Sequence, residues 1–170
     1  MKKRTAKRGR SGEVLVEFTL VGLPLMFVLI STFEMARGMW NYDTLAFAVR
    51  TGARYAAAHG KICTTGGNTC SATVSSVAHA IADAAVGLPP QSFSVVLTPA
   101  TAAATTCAPV SSCFSTATVW PPSGDNAPGK DIRISGTYVF RSALAMFWPG
   151  AGKVNFGIFT LGAWTRQPMQ

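Results

Sequence analysis

From Val14 to Phe33, twenty residues follow one another with a single charge among them, Glu17. At 1.5 Å per residue, a helix of that length is about 30 Å long, the thickness of a bilayer's hydrocarbon core. No other feature restricts the fold as much. A helix that is apolar on every side has no face for water and must be wrapped by lipid or by protein. Pro24 lies inside the run. In an isolated soluble helix it would cost about 3 kcal/mol, whereas membrane helices tolerate proline, usually with a kink. Glu17 stands at the lip of the run, where an ionised carboxylate is costly enough to be read first as functional. The plainer reading is that it snorkels toward the headgroups.

Charge gives the run a direction. Lys2, Lys3, Arg4, Lys7, Arg8 and Arg10 are six of the fifteen basic residues, and they precede the apolar run. Residues 1–12 are too charged to fold and read as a leader. The other nine basic residues face seven acidic ones, so most of the +8 charge belongs to the head. That argues against nucleic-acid binding, which needs a basic face on the folded part. A basic head before an apolar run predicts a single-pass protein with its N-terminus in the cytoplasm and the remainder outside.

The helical pattern continues past Phe33. Met35, Met39, Tyr42, Ala46, Val49, Ala53 and Ala56 follow at alternating steps of four and three, one seam at helical spacing. Arg37, Asn41, Arg50 and Arg54 fall off the seam, and Glu34 and Arg37 are spaced to meet. Gly60 is a stop signal. Residues 13–60 therefore predict one helix of about 45 residues, roughly 70 Å. Residues 14–33 would lie in lipid, and the small-residue seam would dock on a domain.

Residues 61–170 predict that domain. A loop at 61–71 precedes a helix over Ala72–Val86, capped by Ser71 and ended by Gly87 and Pro89-Pro90. Its apolar face is Val74, Val77, Ala78, Ile81, Ala82 and Ala85. The period then changes to two. Phe93, Val95 and Leu97 mark one strand, and Ile132, Ile134, Tyr138 and Phe140 mark the clearest one. Phe114–Trp120 reads as a strand, Pro99–Ser112 as an irregular excursion and Pro121–Gly129 as a turn-rich connection. Val154, Phe156, Ile158 and Trp164 trace a last strand after a loop that carries Met146, Phe147 and Trp148. The fold class is α+β: a long helix, a second helix and an antiparallel sheet of three or four strands, covered on one face by the helices. The aromatics Met146-Phe-Trp148 and Trp164 read as core, with a subunit interface as the alternative.

Cys63, Cys70, Cys107 and Cys113 all follow the apolar run. An even count in an exported domain suggests disulfides. Of the three connectivities, Cys63–Cys70 with Cys107–Cys113 is favoured, because each closes a short polar loop. A zinc site from His59, Cys63, Cys70 and His79 fits no standard spacing. The chain has no G-x-S-x-G, P-loop or H-E-x-x-H motif, and Asp83, Asp125 and Asp131 are isolated surface or cap residues. No catalytic residue, cofactor or metal is expected.

Gly12-Glu13-Val-Leu-Val-Glu17-Phe18, behind a basic head and ahead of an apolar helix, resembles a type IV prepilin cleavage site. With Pro24, Glu34-Met-Ala-Arg37 and Ala48-Val-Arg50-Thr-Gly-Ala-Arg54-Tyr-Ala, the pattern over about residues 10–57 is similar to TadE-like proteins of tight-adherence pilus systems. The resemblance implies a pilin-like architecture and no enzyme. It implies cleavage between Gly12 and Glu13 by a prepilin peptidase. The product would be a bacterial inner-membrane pseudopilin or minor pilin in Flp-type pilus assembly. Its partners would be membrane lipid, the pilin, a sister pseudopilin and the inner-membrane assembly platform. Glu17, with Phe18 beside it, would make the N-terminal contact: parallel helices offset by one turn bring one subunit's carboxylate to the next one's new ammonium. Two other readings stand beside this one. The first is an uncut, signal-anchored domain that binds a partner without entering a filament. The second is a secreted protein cut near Ala36-Arg-Gly38 or Ala46-Phe-Ala48.

Overall fold

The computed structural model describes residues 11–60, 72–143 and 158–169. Helix α1 spans Ser11–Ala58, 48 residues, and passes through Pro24 and through both small-residue sites without interruption. Two lengths of different character make it up. The first is long and apolar enough to cross a membrane, and none of its most apolar window is buried in the protein. Both threonine hydroxyls turn inward on the helix: Thr19 donates to the carbonyls of Leu15 and Val16, and Thr32 donates to that of Val28. These two hydroxyls then need no bond to water, which suits a helix in hydrocarbon.

The second length of α1 is half of a packed core. Leu45, Ala48, Val49, Ala53, Ala56 and Ala57 are buried against the sheet and helix α2, Val74–Ala84. The upper end of the expected seam is displaced: Met35, Met39 and Tyr42 are exposed, and Glu34 is buried instead. Apolar periodicity misses the true stripe because two of its members are glycines and one is a paired carboxylate. A Cβ on Gly52 would lie 2.3 Å from Ile81 Cγ1. One on Gly136 would lie 2.8 Å from Val49 Cγ2. At Gly52 of the helix and Gly136 of the facing strand, the missing side chain makes room for the neighbouring element.

Thr73 caps helix α2, which ends at Ala84, two residues short of the expected Val86; the expected cap, Ser71, lies outside the described residues. Thr73 and Ser76 bond reciprocally to each other's backbone N–H, a capping box. Of the expected face, Val74, Val77, Ala78, Ile81 and the cap residue Ala85 are buried, and Ala82 is half-buried. Gly87, at φ +88°, turns the chain away after it.

The sheet has four antiparallel strands in the order β2-β1-β3-β4, with β1 Phe93–Thr98, β2 Thr105–Cys107, β3 Asp131–Arg141 and β4 Ile158–Pro168. Phe93, Val95 and Leu97 of β1 and Ile132 and Ile134 of β3 are buried beneath the helices, as period two requires. Three expectations are corrected. The excursion after β1 contains the edge strand β2, too short for a periodic signal. Phe114–Trp120 is not a strand of the sheet. Its carbonyls at Thr118 and Thr116 accept from the N–H groups of Val74 and Ser75, and Ala72 accepts from Trp120 N–H. The segment thus satisfies the open first turn of α2, donors that every helix start leaves over. Val154, Phe156 and the segment Met146-Phe-Trp148 lie outside the described residues. Trp164 is no core residue: it is 64% exposed on the outer face, beneath the Arg133 guanidinium at 4.8 Å. Its neighbours in β4, Ala163 and Thr165, point inward.

Candidate functional site: the bare helix and its clamp

Gly12, Glu13, Glu17, Phe18 and Pro24 all lie on the bare part of α1, and the fold brings none of them against the packed body. Space is open around Gly12, with nothing within 4 Å of an added Cβ. Glu13 occupies the first turn of the helix, where the unpaired N–H groups and the macrodipole favour a carboxylate. Glu17 comes four residues later on the same side, so two exposed carboxylates stack one turn apart. Like charges at this spacing cost about 0.2–0.5 kcal/mol. A positive group placed between them would reverse that sign. Phe18 is 75% exposed next to Glu17.

At the other end of the apolar run a second group forms, which the sequence gives only in part. Glu34 and Arg37 meet as their spacing predicts, at 3.3 Å. Glu34 Oε2 also accepts from the backbone N–H of Ala143 at 3.1 Å. The Arg37 guanidinium donates to the carbonyl of Arg141 and covers the Phe140 ring at 4.8 Å. One carboxylate, seated one residue after Phe33, therefore ties α1 to the end of β3. The helix and strand run side by side from there. Val49 sits at Gly136, Gly38 lies against Phe140, and Glu34 reaches Ala143. Fifteen helical residues rise about 22 Å and seven strand residues about 23 Å, so the two elements keep pace.

Cys107 and Cys113 are joined, with Cα atoms 5.6 Å apart, and pin β2 to the 3-10 helix Val110–Cys113. Cys63 and Cys70 lie outside the described residues. His59 stacks on Tyr55 and His79 on Phe114, so each imidazole serves as a packed ring. Among the described residues no group of three His, Cys, Asp or Glu side chains gathers. Asp125 is buried, not on the surface. Its carboxylate accepts from the Thr101 hydroxyl at 2.6 Å and from the N–H groups of Thr101 and Ala102 at 3.0 and 2.9 Å. These donors, the hydroxyl first, hold its pKa below the ordinary value against the opposing effect of burial. It organises a loop and touches nothing that resembles a reaction centre.

These features define an α+β protein built on a long helix whose N-terminal length could span a membrane, and the residues singled out in the sequence lie on that length. The comparisons agree on the location. The family model of the TadE-like protein matches residues 12–54, about a quarter of the chain. The match starts at Gly12, takes in the apolar run and the clamp residues Glu34 and Arg37, and ends at Arg54 on the packed half of α1. That family implies involvement in Tad/Flp pilus systems and is one of pilus-associated structural proteins, not of enzymes. Searches of curated proteins and of solved structures return no match.

Proposed function

We propose that the chain is a membrane-anchored pseudopilin or minor pilin that takes part in assembling a Flp-type pilus and so supports surface attachment. The observation that carries this reading is the family match over residues 12–54, on a helix whose apolar length is bare of any protein covering. In this reading the basic head stays in the cytoplasm and the body faces the periplasm. A prepilin peptidase cuts between Gly12 and Glu13. Its partners are the pilin, a sister pseudopilin and the assembly platform in the inner membrane.

Glu17 acts through its neighbours. Cleavage creates an ammonium on Glu13, one turn from Glu17, and converts a pair of carboxylates into a site with both signs. In a stack of parallel helices, Glu17 of one subunit then pairs with the new terminus of the next. A low-dielectric pair offsets part of the burial cost and penalises the wrong register. Phe18 lies beside that contact, and Pro24 adjusts the line of the helix below it. The test is Glu17→Ala. Membrane fractionation should find the variant inserted at the wild-type level, and electron microscopy should find pili sharply reduced. Normal pili on cells carrying only the variant would reduce Glu17 to a residue that snorkels.

A further inference from the structure

The β3–β4 ladder changes character along its length. At one end the outer face is charged: Arg133 stands directly opposite Arg166, which bridges to Asp131 at 2.7 Å. At the other end, Arg141 stands opposite Ile158 and Phe140 opposite Phe159. Ile158 and Phe159 point to opposite faces of the sheet, and both are about half exposed, at 48% and 50%. A sheet with one wet face alternates apolar and polar residues, so an apolar pair on both faces of one strand end has no place in water. The Glu34 and Arg37 bonds fix where that end lies. They hold Arg141 and Ala143 beside the first turn after Phe33, itself 71% exposed.

We propose that this end of the body rests in the headgroup layer of the membrane that α1 spans, with Ile158 and Phe159 dipped toward the acyl chains and Arg141 among anionic phosphates. The proposal rests on α1 being the membrane anchor. Three observations select lipid over a second copy of the chain. The apolar strand end lies at the level of Phe33, because the clamp holds Arg141 and Ala143 beside the turn that follows it. It wraps both faces of a strand end and does not form one flat patch. A cation with a long apolar stem borders it, the arrangement that interfacial residues adopt. Pairing Glu34 with Arg37 and Ala143 lets a carboxylate sit at that depth without an unpaired charge. The charged end of the same ladder is directed away from the bilayer.

Photo-crosslinking of the full chain in vesicles of mixed zwitterionic and anionic phospholipid tests this. Benzoylphenylalanine is placed singly at Phe27, Phe159 or Trp164, exposed aromatic positions with room for its second ring. Phe27, within the span, reports on the anchor, and Trp164 is five residues along β4 from Phe159, about 17 Å toward the charged end. The expected result is lipid adducts at Phe27 and Phe159 in comparable yield, and at least tenfold fewer at Trp164. Adducts at Phe27 with only background at Phe159 overturn the proposal and leave the anchor intact. Equal yields at Phe159 and Trp164, or protein adducts in place of lipid at Phe159, overturn it too. Background at Phe27 removes the anchor and this inference with it.

Discussion

Glu34 shows how one side chain can join two parts of a chain far apart in sequence. It lies 109 residues before its partner Ala143, and its carboxylate is shielded while Arg37 remains partly in water. Replacing it by Ala leaves the Ala143 N–H without an acceptor and Arg37 without its anion. Hydrogen bonds to charged groups are worth about 1.5–3 kcal/mol, so Glu34→Ala should lower stability by about that amount. Chemical denaturation of the full chain in detergent measures it, and faster amide exchange at residues 141–143 would locate the loss. Unchanged exchange there would mean that β3 is held without the clamp. Asp125 makes a prediction about pH. Its folded pKa is depressed, so its contribution is complete above the unfolded value near 3.8 and is lost as pH falls through the lower folded value. Thermal unfolding should show the wild type losing stability below about pH 4. Asp125→Asn should start lower at neutral pH and fall less steeply. Parallel acid limbs in the two proteins would remove Asp125 from the account.

At the scale of elements, helix α1 meets its neighbours through glycines, and the three glycines of its apolar and packed lengths face different surroundings. Gly52 is filled by Ile81, Gly38 has the Phe140 ring at 3.9 Å from an added Cβ, and Gly22 only its own helix's Phe18 ring at 3.8 Å. Gly52→Leu should force α1 and α2 apart and cost about 1–3 kcal/mol by overpacking. Gly38→Ala makes only an ordinary contact and should gain up to about 1 kcal/mol of helix propensity. Melting temperatures of the two variants should move in opposite directions, and a neutral Gly52→Leu would mean that the helix pair is looser than described. This contrast also explains what the sequence could and could not say. The existence and length of α1, the face of α2 and the alternation of β1 and β3 are written in period. The covered stripe of α1 is not, because glycines and a paired glutamate carry no hydrophobic signal. β2 has three residues, too few for a pattern. The extended segment before Trp120 has strand composition, but its backbone bonds go to the first turn of α2. Trp164 reads as core by type, yet its parity on β4 puts it outside with Arg133.

At the scale of the whole molecule, the features of the chain are separated along α1. Its first turns carry Gly12 and the stacked glutamates, the apolar run is bare, and the clamp fixes the body just past it. The placing of Gly12, Glu13 and Glu17 on a bare helix was legible beforehand, since a linear motif beside an apolar run needs no fold to be seen. The reach of Glu34 to the end of β3 was not, because a contact to a backbone amide leaves no mark on residue type. The central claim is that the head is removed to create a terminus one turn from Glu17. Mass spectrometry of the N-terminal peptide of the protein isolated from the membrane tests it most directly. The account predicts a mature chain that begins at Glu13, and a Gly12 variant with a bulky side chain that retains its head. A mature protein that still carries Lys2–Arg10, or one that begins at Met39 or beyond, would contradict it.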